Sequence, residues 1–201
     1  MPSSSKNRRR GYRLGRRAET TQETRQRLVE ATFQLHAERG IAETSMKDIA
    51  GRAGVSVGTV YHHFPSYADA IVACGAYTTE HAPAPTAAVL DGAATRQERI
   101  ARLARALFGY YERVPALESV RRDRHLTRTL EEFARAEARN RRRLAALAAG
   151  PGAPATLVAA MTDVGVYRSL RREGYGTADA AAQVAALLNH ALDAESGAGR
   201  K

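Results

Sequence analysis

The side chains of this sequence that could carry out chemistry are few, and they are not grouped as a reaction needs. His62 and His63 are adjacent, so on a helix their rings point about 100° apart, and no second pair of metal ligands follows nearby. Cys74 lies in an apolar helical stretch and suits a buried position better than that of a nucleophile. The chain has no glycine-rich phosphate loop, no nucleophile turn and no carboxylate pair beside a histidine. These observations predict a protein that is not an enzyme and that holds no metal or cofactor.

Positive charge, by contrast, is abundant at the start of the chain. The sequence has 31 Lys and Arg against 21 Asp and Glu, and residues 1–17 contain seven of the basic residues and no acidic one. A basic segment with almost no apolar residues cannot offset its ordering entropy, so residues 1–20 are predicted to form a disordered arm. Both a solubilising tail and an arm that contacts DNA phosphates or a minor groove fit this charge. The arginines expected to act in such an arm are Arg8, Arg9, Arg10, Arg13, Arg16 and Arg17.

The composition favours a helical globular protein. The chain has 201 residues, of which 44% are hydrophobic, and alanine is plentiful while proline is scarce. A single cysteine excludes a disulfide-built secreted fold. Residues 144–162 carry no charge, but the Gly and Pro residues at 150–154 predict a loop between two helices rather than a membrane span. The first residues lack the apolar core of a secretory signal, so we expect a cytoplasmic protein.

The segment after the arm has the layout of a helix-turn-helix. Apolar residues recur at helical spacing, and Gly40 is placed to end the first helix. Ser45 is placed to cap a second helix, which Gly54 ends, and Ser56 is placed to cap a third. Two short helices joined by a turn are typical of DNA-binding domains in which the second of them enters the major groove. We place this domain at residues 21–66.

Four stretches of this segment resemble the TetR family of bacterial transcriptional regulators. They are TRQRLVEA at 24–31, GI at 40–41, TSMKDIA at 44–50 and AGVSVGTVYHHF at 53–64, and the resemblance covers residues 21–72. It implies an all-α homodimer in which an N-terminal three-helix helix-turn-helix domain is followed by a C-terminal helical bundle. In the family that bundle binds a ligand and forms the dimer.

The same resemblance implies DNA contacts at the starts of the second and third helices. Val57 and Gly58 are poor helix formers, but a small, smooth surface would let the third helix approach the bases closely. The hydroxyls of Thr59 and Tyr61 suit phosphate oxygens, although the Tyr61 ring could instead pack beside Phe64. The positions expected to contact DNA are Ser45, Met46, Lys47, Ser56, Val57, Gly58, Thr59, Tyr61, His62, His63 and Tyr67.

One departure from the family concerns the loop after Phe64. Many members carry lysines there that bind phosphate, whereas this chain has Pro65, Ser66 and Tyr67. We therefore expect the arginines of the arm to supply the missing charge.

Residues 67–195 show helical periodicity in several segments and predict a helical bundle, with a Pro- and Ala-rich joint at 81–95 and a tail at 196–201. Arg121, Arg122 and Arg124 could meet an anionic ligand or form a solvated charge run. Large residues predicted on inner faces could line a ligand pocket or fill the core: Phe108, Tyr111, Phe133, Met161 and Tyr167. A wide apolar stripe on the last helix is placed by the resemblance at the dimer contact: Val184, Leu187, Leu188, Ala191 and Leu192.

Together these features predict a ligand-responsive transcriptional regulator, in this family usually a repressor. It would bind a palindromic operator in double-stranded DNA as a homodimer and be released by an unidentified small molecule. The alternative is a non-specific architectural DNA-binding protein, which the basic arm alone would permit. The net charge of residues 18–201 is only +3, which disfavours that alternative, since a protein that coats DNA needs no large, near-neutral bundle.

Overall fold

The fold is entirely helical within the part of the chain that the structure describes. The computed structural model describes the backbone of residues 4–198 and the side chains of residues 19–194. Over that range it has ten α-helices, one short 3-10 helix and no β-strand, which confirms the predicted fold class. Two compact units divide between Tyr77 and Thr78, inside the fourth helix. The division is later than the predicted boundary after residue 66 because the buried Ala70 belongs to the core of the first unit.

The first unit is the predicted helix-turn-helix domain. Helix α1 begins at Ser4, well before residue 21, where the apolar periodicity starts. The side chains of the predicted basic arm, Arg8, Arg9, Arg10, Arg13, Arg16 and Arg17, lie outside the described residues, and its disorder in the free protein stays a prediction. In chain order the elements are α1 (Ser4–Arg39), α2 (Met46–Ala53), α3 (Val57–His63) and the first part of α4 (Tyr67–His81).

Capping side chains and one glycine set the limits of the short helices. Ser45 and Asp48 form a capping box: the Asp48 N–H donates to the Ser45 hydroxyl at 3.2 Å, and the Ser45 N–H donates to the Asp48 carboxylate at 2.9 Å. Ser56 caps α3 by accepting a hydrogen bond from the N–H of Thr59 at 3.1 Å. Gly54 ends α2 with a φ of 67°, a left-handed conformation that favours glycine. The predicted starts of α2 and α3 and the predicted end of α2 are therefore confirmed, and each serine cap contributes about 1 kcal/mol.

The second unit is a bundle in which α5 packs against α7 and α10. Residues 155–172 form two helices, because Asp163 lies between them and caps the second by accepting from the N–H of Gly165 at 2.8 Å. The last helix begins at Thr177, whose hydroxyl donates to Glu112 at 2.6 Å. The α-helices of this unit are α5 (Arg96–Arg113), α6 (Leu117–Arg122), α7 (Arg128–Ala149), α8 (Ala155–Met161), α9 (Val164–Arg172) and α10 (Thr177–Ala198).

The Pro- and Ala-rich segment after α4 is a packed part of the second unit rather than the joint that was predicted. Ala82 is buried and Leu90 packs against the bundle core. The side-chain amide of Asn140 donates to the carbonyl of Pro85 at 2.9 Å. The uncharged residues 144–162 contain the end of α7 and a loop, as predicted. Across the described ranges no helix is both long enough and apolar enough to span a membrane.

Candidate functional site

Helix α3 presents a small, smooth surface to solvent. Val57 is 38% exposed and Tyr61 is 51% exposed, while the opposite face of the helix is held in the core by Val60. A Cβ atom added to Gly58 would meet only the Ser56 hydroxyl, at 3.7 Å. No packing within this unit therefore requires glycine at residue 58, although glycine costs about 1 kcal/mol in a helix interior. Such a surface can bring its backbone close to the base edges in a major groove.

Polar and basic groups surround that surface. Lys47 on α2 is exposed, and no ion pair involves it in the described part of the chain. The hydroxyl oxygens of Ser56 and Thr59 lie 2.9 Å apart, so one of the two protons can be donated elsewhere. The rings of His62 and His63 lie 5.4 Å apart, and partial burial lowers the pKa of His63, which favours its neutral form. These groups are suited to donate hydrogen bonds to phosphate oxygens.

Arg25 is a candidate contact that sequence reasoning does not place on this surface. It lies on α1, is exposed, and its guanidinium carbon is 5.3 Å from the centre of the Phe64 ring. Its positive charge also contributes to the lowered pKa of His63. Only the packing of α1 against α3 brings this charge to the end of α3, and no spacing rule in the sequence shows it.

One predicted DNA contact, Met46, is wrong, and the hydroxyl of a second, Tyr67, is engaged within the domain. Met46 is 7% exposed and belongs to the core of the first unit, because the first turn of α2 points this side chain inward. The hydroxyl of Tyr67 donates to the carbonyl of Ile41 at 2.7 Å and lies 2.9 Å from Nε2 of His36. That hydroxyl is used inside the domain. Burial lowers the pKa of His36 to about 4, so its ring is neutral at physiological pH.

Three of the residues predicted to line a ligand pocket pack against one another in the core of the second unit. Phe108, Tyr111 and Tyr167 are at most 3% exposed, and their ring centres lie 5.2–6.2 Å apart. Met161 is half-buried against the same core. Phe133, predicted on an inner face, is 38% exposed. The rings fill the core, which was the alternative left open by the sequence.

A cavity of about 880 Å³ lies elsewhere in the second unit, between α7, α8 and α9. Its walls are largely apolar, with Ala159, Val166 and Leu170 among the lining residues. Thr156 and Ser169 add hydroxyls to the lining. Because three helices contribute to it, the sequence contains no local signal for this cavity.

Two ionised side chains line the cavity and form a buried pair. Nη2 of Arg141 lies 2.9 Å from Oδ2 of Asp163, and the two side chains are 10% and 17% exposed. Arg121 forms a second ion pair with Asp163. Arg141 also donates to the carbonyl of Ala159, and its Nε lies 3.4 Å from Oε1 of Glu137. Burial raises the pKa of Glu137, which weakens the negative charge on that carboxyl.

The residues predicted at the dimer contact do not share one face of α10. Val184, Leu188 and Leu192 are each 1% exposed and lie in the core of their own chain, because α5 packs against that side of the helix. Leu187 is 60% exposed, and Ala191 is half-buried. The prediction is therefore wrong for the three core residues. The outward face carries mostly small side chains around Leu187, namely Ala178, Ala182, Gln183, Ala186 and His190.

Comparison with known proteins shows a similarity to one family in the first unit. Residues 28–71, which carry the capped helices and the core of the first unit, match the family described as bacterial regulatory proteins, tetR family. Over these residues the chain is similar to the TetR family. The HTH-type transcriptional regulator TtgR of Pseudomonas putida is 41% identical over 58 residues. This match spans 29% of the chain and 28% of TtgR, so the close likeness is confined to a minor part of both proteins.

Solved structures extend the similarity of the fold to most of the chain. A tetR-family transcriptional regulator from Streptomyces coelicolor superposes with a TM-score of 0.61 at 20% identity, over 88% of this chain and 83% of that one. The multidrug binding protein EbrR, solved with malachite green, superposes with a TM-score of 0.54 at 21% identity, over 84% of this chain and 97% of that one. At these identities the likeness establishes a shared fold.

Proposed function

We propose that this TetR-family protein is a transcriptional repressor that binds a palindromic operator as a homodimer and leaves it when a small molecule binds. The observation that carries the proposal is the solvent-facing surface of α3. Val57 and Tyr61 are exposed there, and Gly58 has open space above it. No contact among the side chains of residues 19–194 accounts for this surface, whereas close approach to base edges does, with the Val57 methyls against a thymine methyl.

Phosphate contacts would hold α3 in register on the DNA. The Ser45 and Ser56 caps stand at the starts of α2 and α3, Lys47 adds positive charge in the first turn of α2, and Arg25 adds it at the end of α3. Such contacts carry little sequence information but make binding depend on salt. The arginines of residues 8–17 extend this charge and replace the lysines that the loop after Phe64 lacks.

The dimer would form through the outward face of α10. Leu187 is the large apolar side chain on that face, and alanines surround it, so two copies of the helix can approach closely about a two-fold axis. Two recognition helices can read successive major grooves only when they lie one DNA turn apart, about 34–36 Å. A monomer would therefore lose most of the operator affinity.

The effector would bind in the second unit. The cavity between α7, α8 and α9 has the size and the largely apolar lining of a small-molecule site. The fold is shared with EbrR, a multidrug binding protein. An effector that prefers the DNA-free state by a hundredfold supplies about 2.7 kcal/mol, enough to empty a moderately tight operator.

Selection of bound fragments from genomic DNA tests the proposal. We expect one palindromic site to be enriched and to remain preferred as salt is raised. Val57→Asp, which adds negative charge to an exposed position, should abolish that preference, whereas Val72→Asp, a change at an exposed position on α4, should leave it unchanged. An architectural protein would instead lose all fragments together as salt rises.

A further inference from the structure

We infer that the cavity between α7, α8 and α9 takes an amphipathic anion, a carboxylate on an apolar body, with Arg142 as its charge partner. The inference names the ligand class of the site that serves the proposed function. Binding of the anion itself does not require that function to be correct.

The carboxylate in the cavity wall, that of Asp163, is already used. Oδ1 of Asp163 accepts from the N–H of Gly165 at 2.8 Å and pairs with Arg121, while Oδ2 pairs with Arg141 at 2.9 Å. One carboxylate thus serves two guanidinium groups and a backbone N–H. A cationic ligand would find no free carboxylate oxygen on this residue.

The donors, in contrast, are in excess. Arg142 lines the cavity, and no hydrogen bond or ion pair of its side chain is found in the part of the chain that the structure describes. Thr156 and Ser169 add hydroxyl donors to the same lining. An arginine fork matches the two oxygens of a carboxylate better than it matches a neutral group.

The rest of the lining defines the body of the ligand. Ala155, Ala159, Ala160, Val166 and Leu170 present aliphatic surface and no further charge. A cavity of about 880 Å³ has room for an extended hydrocarbon or ring system beside the arginine. Charge at one end and apolar walls elsewhere select a ligand that is itself polar at one end only.

Calorimetric titration of the full-length protein without DNA tests the ligand class. The probes are octanoate, octan-1-ol and octylamine, which share a chain and differ in charge. We expect octanoate to bind at least about tenfold more tightly than the alcohol, a difference of about 1.4 kcal/mol, and the amine to bind most weakly. Equal affinity for octanoate and octan-1-ol, or tighter binding of octylamine, would overturn the inference.

Two neighbouring arginines provide a matched pair of variants for the site. Arg142→Ala should weaken octanoate binding by about tenfold while leaving octan-1-ol unchanged. Arg143→Ala removes an adjacent, exposed arginine that does not line the cavity and whose guanidinium bonds Asn140 at 3.4 Å, so octanoate affinity should stay as in the parent protein. Equal losses in both variants would mean a non-specific charge effect and would overturn the role of Arg142.

A third variant tests the location. Ala160 is exposed and lines the cavity, so Ala160→Trp can occupy the space without disturbing the core, and the circular dichroism spectrum should be unchanged. We expect this variant to lose binding of both octanoate and octan-1-ol. Unchanged octanoate binding would place the site elsewhere and overturn the assignment. If octanoate binds as expected but does not release DNA, the proposed effector function fails while the inference holds.

Discussion

Nε2 of His36 on α1 lies 2.9 Å from the hydroxyl oxygen of Tyr67 on α4. The Tyr67 hydroxyl donates its single proton to the carbonyl of Ile41 at 2.7 Å, so the bond to His36 must be donated by the imidazole Nε2–H. Nδ1 is then unprotonated, and it lies 3.7 Å from the sulfur of Cys74. The pair joins α1, the turn that follows it and α4 within the helix-turn-helix domain.

The neutral state of His36 predicts a loss of stability in mild acid. Burial lowers the pKa of His36 from 6.5 to about 4, so between these values the unfolded chain binds a proton that the folded protein excludes. The free energy of unfolding carries no penalty from His36 above pH 6.5. It falls by about 3 kcal/mol in all as the pH is lowered towards 4, because folding must then exclude the proton. Urea unfolding of the full chain between pH 4.5 and 7 measures this slope.

The matched variants are His36→Asn and His125→Asn. His36→Asn removes the titrating group, so its free energy of unfolding should fall less steeply with acid than that of the parent protein. His125 is exposed in the loop before α7, and its replacement should leave the slope unchanged. Identical slopes in all three proteins would show that His36 does not titrate as its burial requires.

Replacing Gly58 by alanine should raise the stability of the protein while it weakens DNA binding. Gly58→Ala adds a methyl group into open space on α3, so the variant should be more stable by about 0.5–1 kcal/mol. Operator affinity, measured by fluorescence anisotropy, should nevertheless fall by about tenfold, because the methyl group stands between the helix and the bases. Gly51→Ala on α2 is the control, since its added Cβ also meets no atom, and it should raise stability without lowering affinity. Full affinity in Gly58→Ala would remove this face of α3 from the interface.

Leu187 and Leu188 should behave oppositely although they are adjacent. Leu187→Glu changes a side chain that is 60% exposed, so we expect a folded protein that sediments as a monomer and no longer binds the operator. Leu188→Glu places a charge at a position that is 1% exposed in its own chain, so we expect unfolding of the second unit, visible as lost helicity. A stable dimer of Leu187→Glu would place the subunit contact on another face.

Deletion of residues 1–17 should flatten the salt dependence of operator binding. The segment has seven basic residues, and if all of them contact phosphates the slope of log affinity against log salt falls by about six units. Sequence preference should change little, since phosphate contacts do not read bases. The check is affinity at several salt concentrations for the operator and for a scrambled duplex; an unchanged slope would make the arm a passive tail.

The N-terminal helices could be predicted because their signals are local. Ser45, Ser56, Gly40 and Gly54 act on the backbone within one helical turn of themselves, so their types and spacing determine where α1, α2 and α3 start or stop. The family stretches lie in the same short segment. Helix class, capping and the similarity to the TetR family are therefore set by residues close together in the chain.

Only the tertiary structure decided which face of each helix is buried. A periodic stripe shows that one side of a helix is apolar, but Leu187 and Leu188 are neighbours and only the position of α5 determines which of them is covered. Met46 and Tyr67 turned inward for the same reason, one into the core and the other onto His36. The Arg141–Asp163 pair joins α7 to the residue that caps α9. The cavity beside it is lined by side chains of α7, α8 and α9. Such features depend on packing between distant segments, for which a single sequence contains no local pattern.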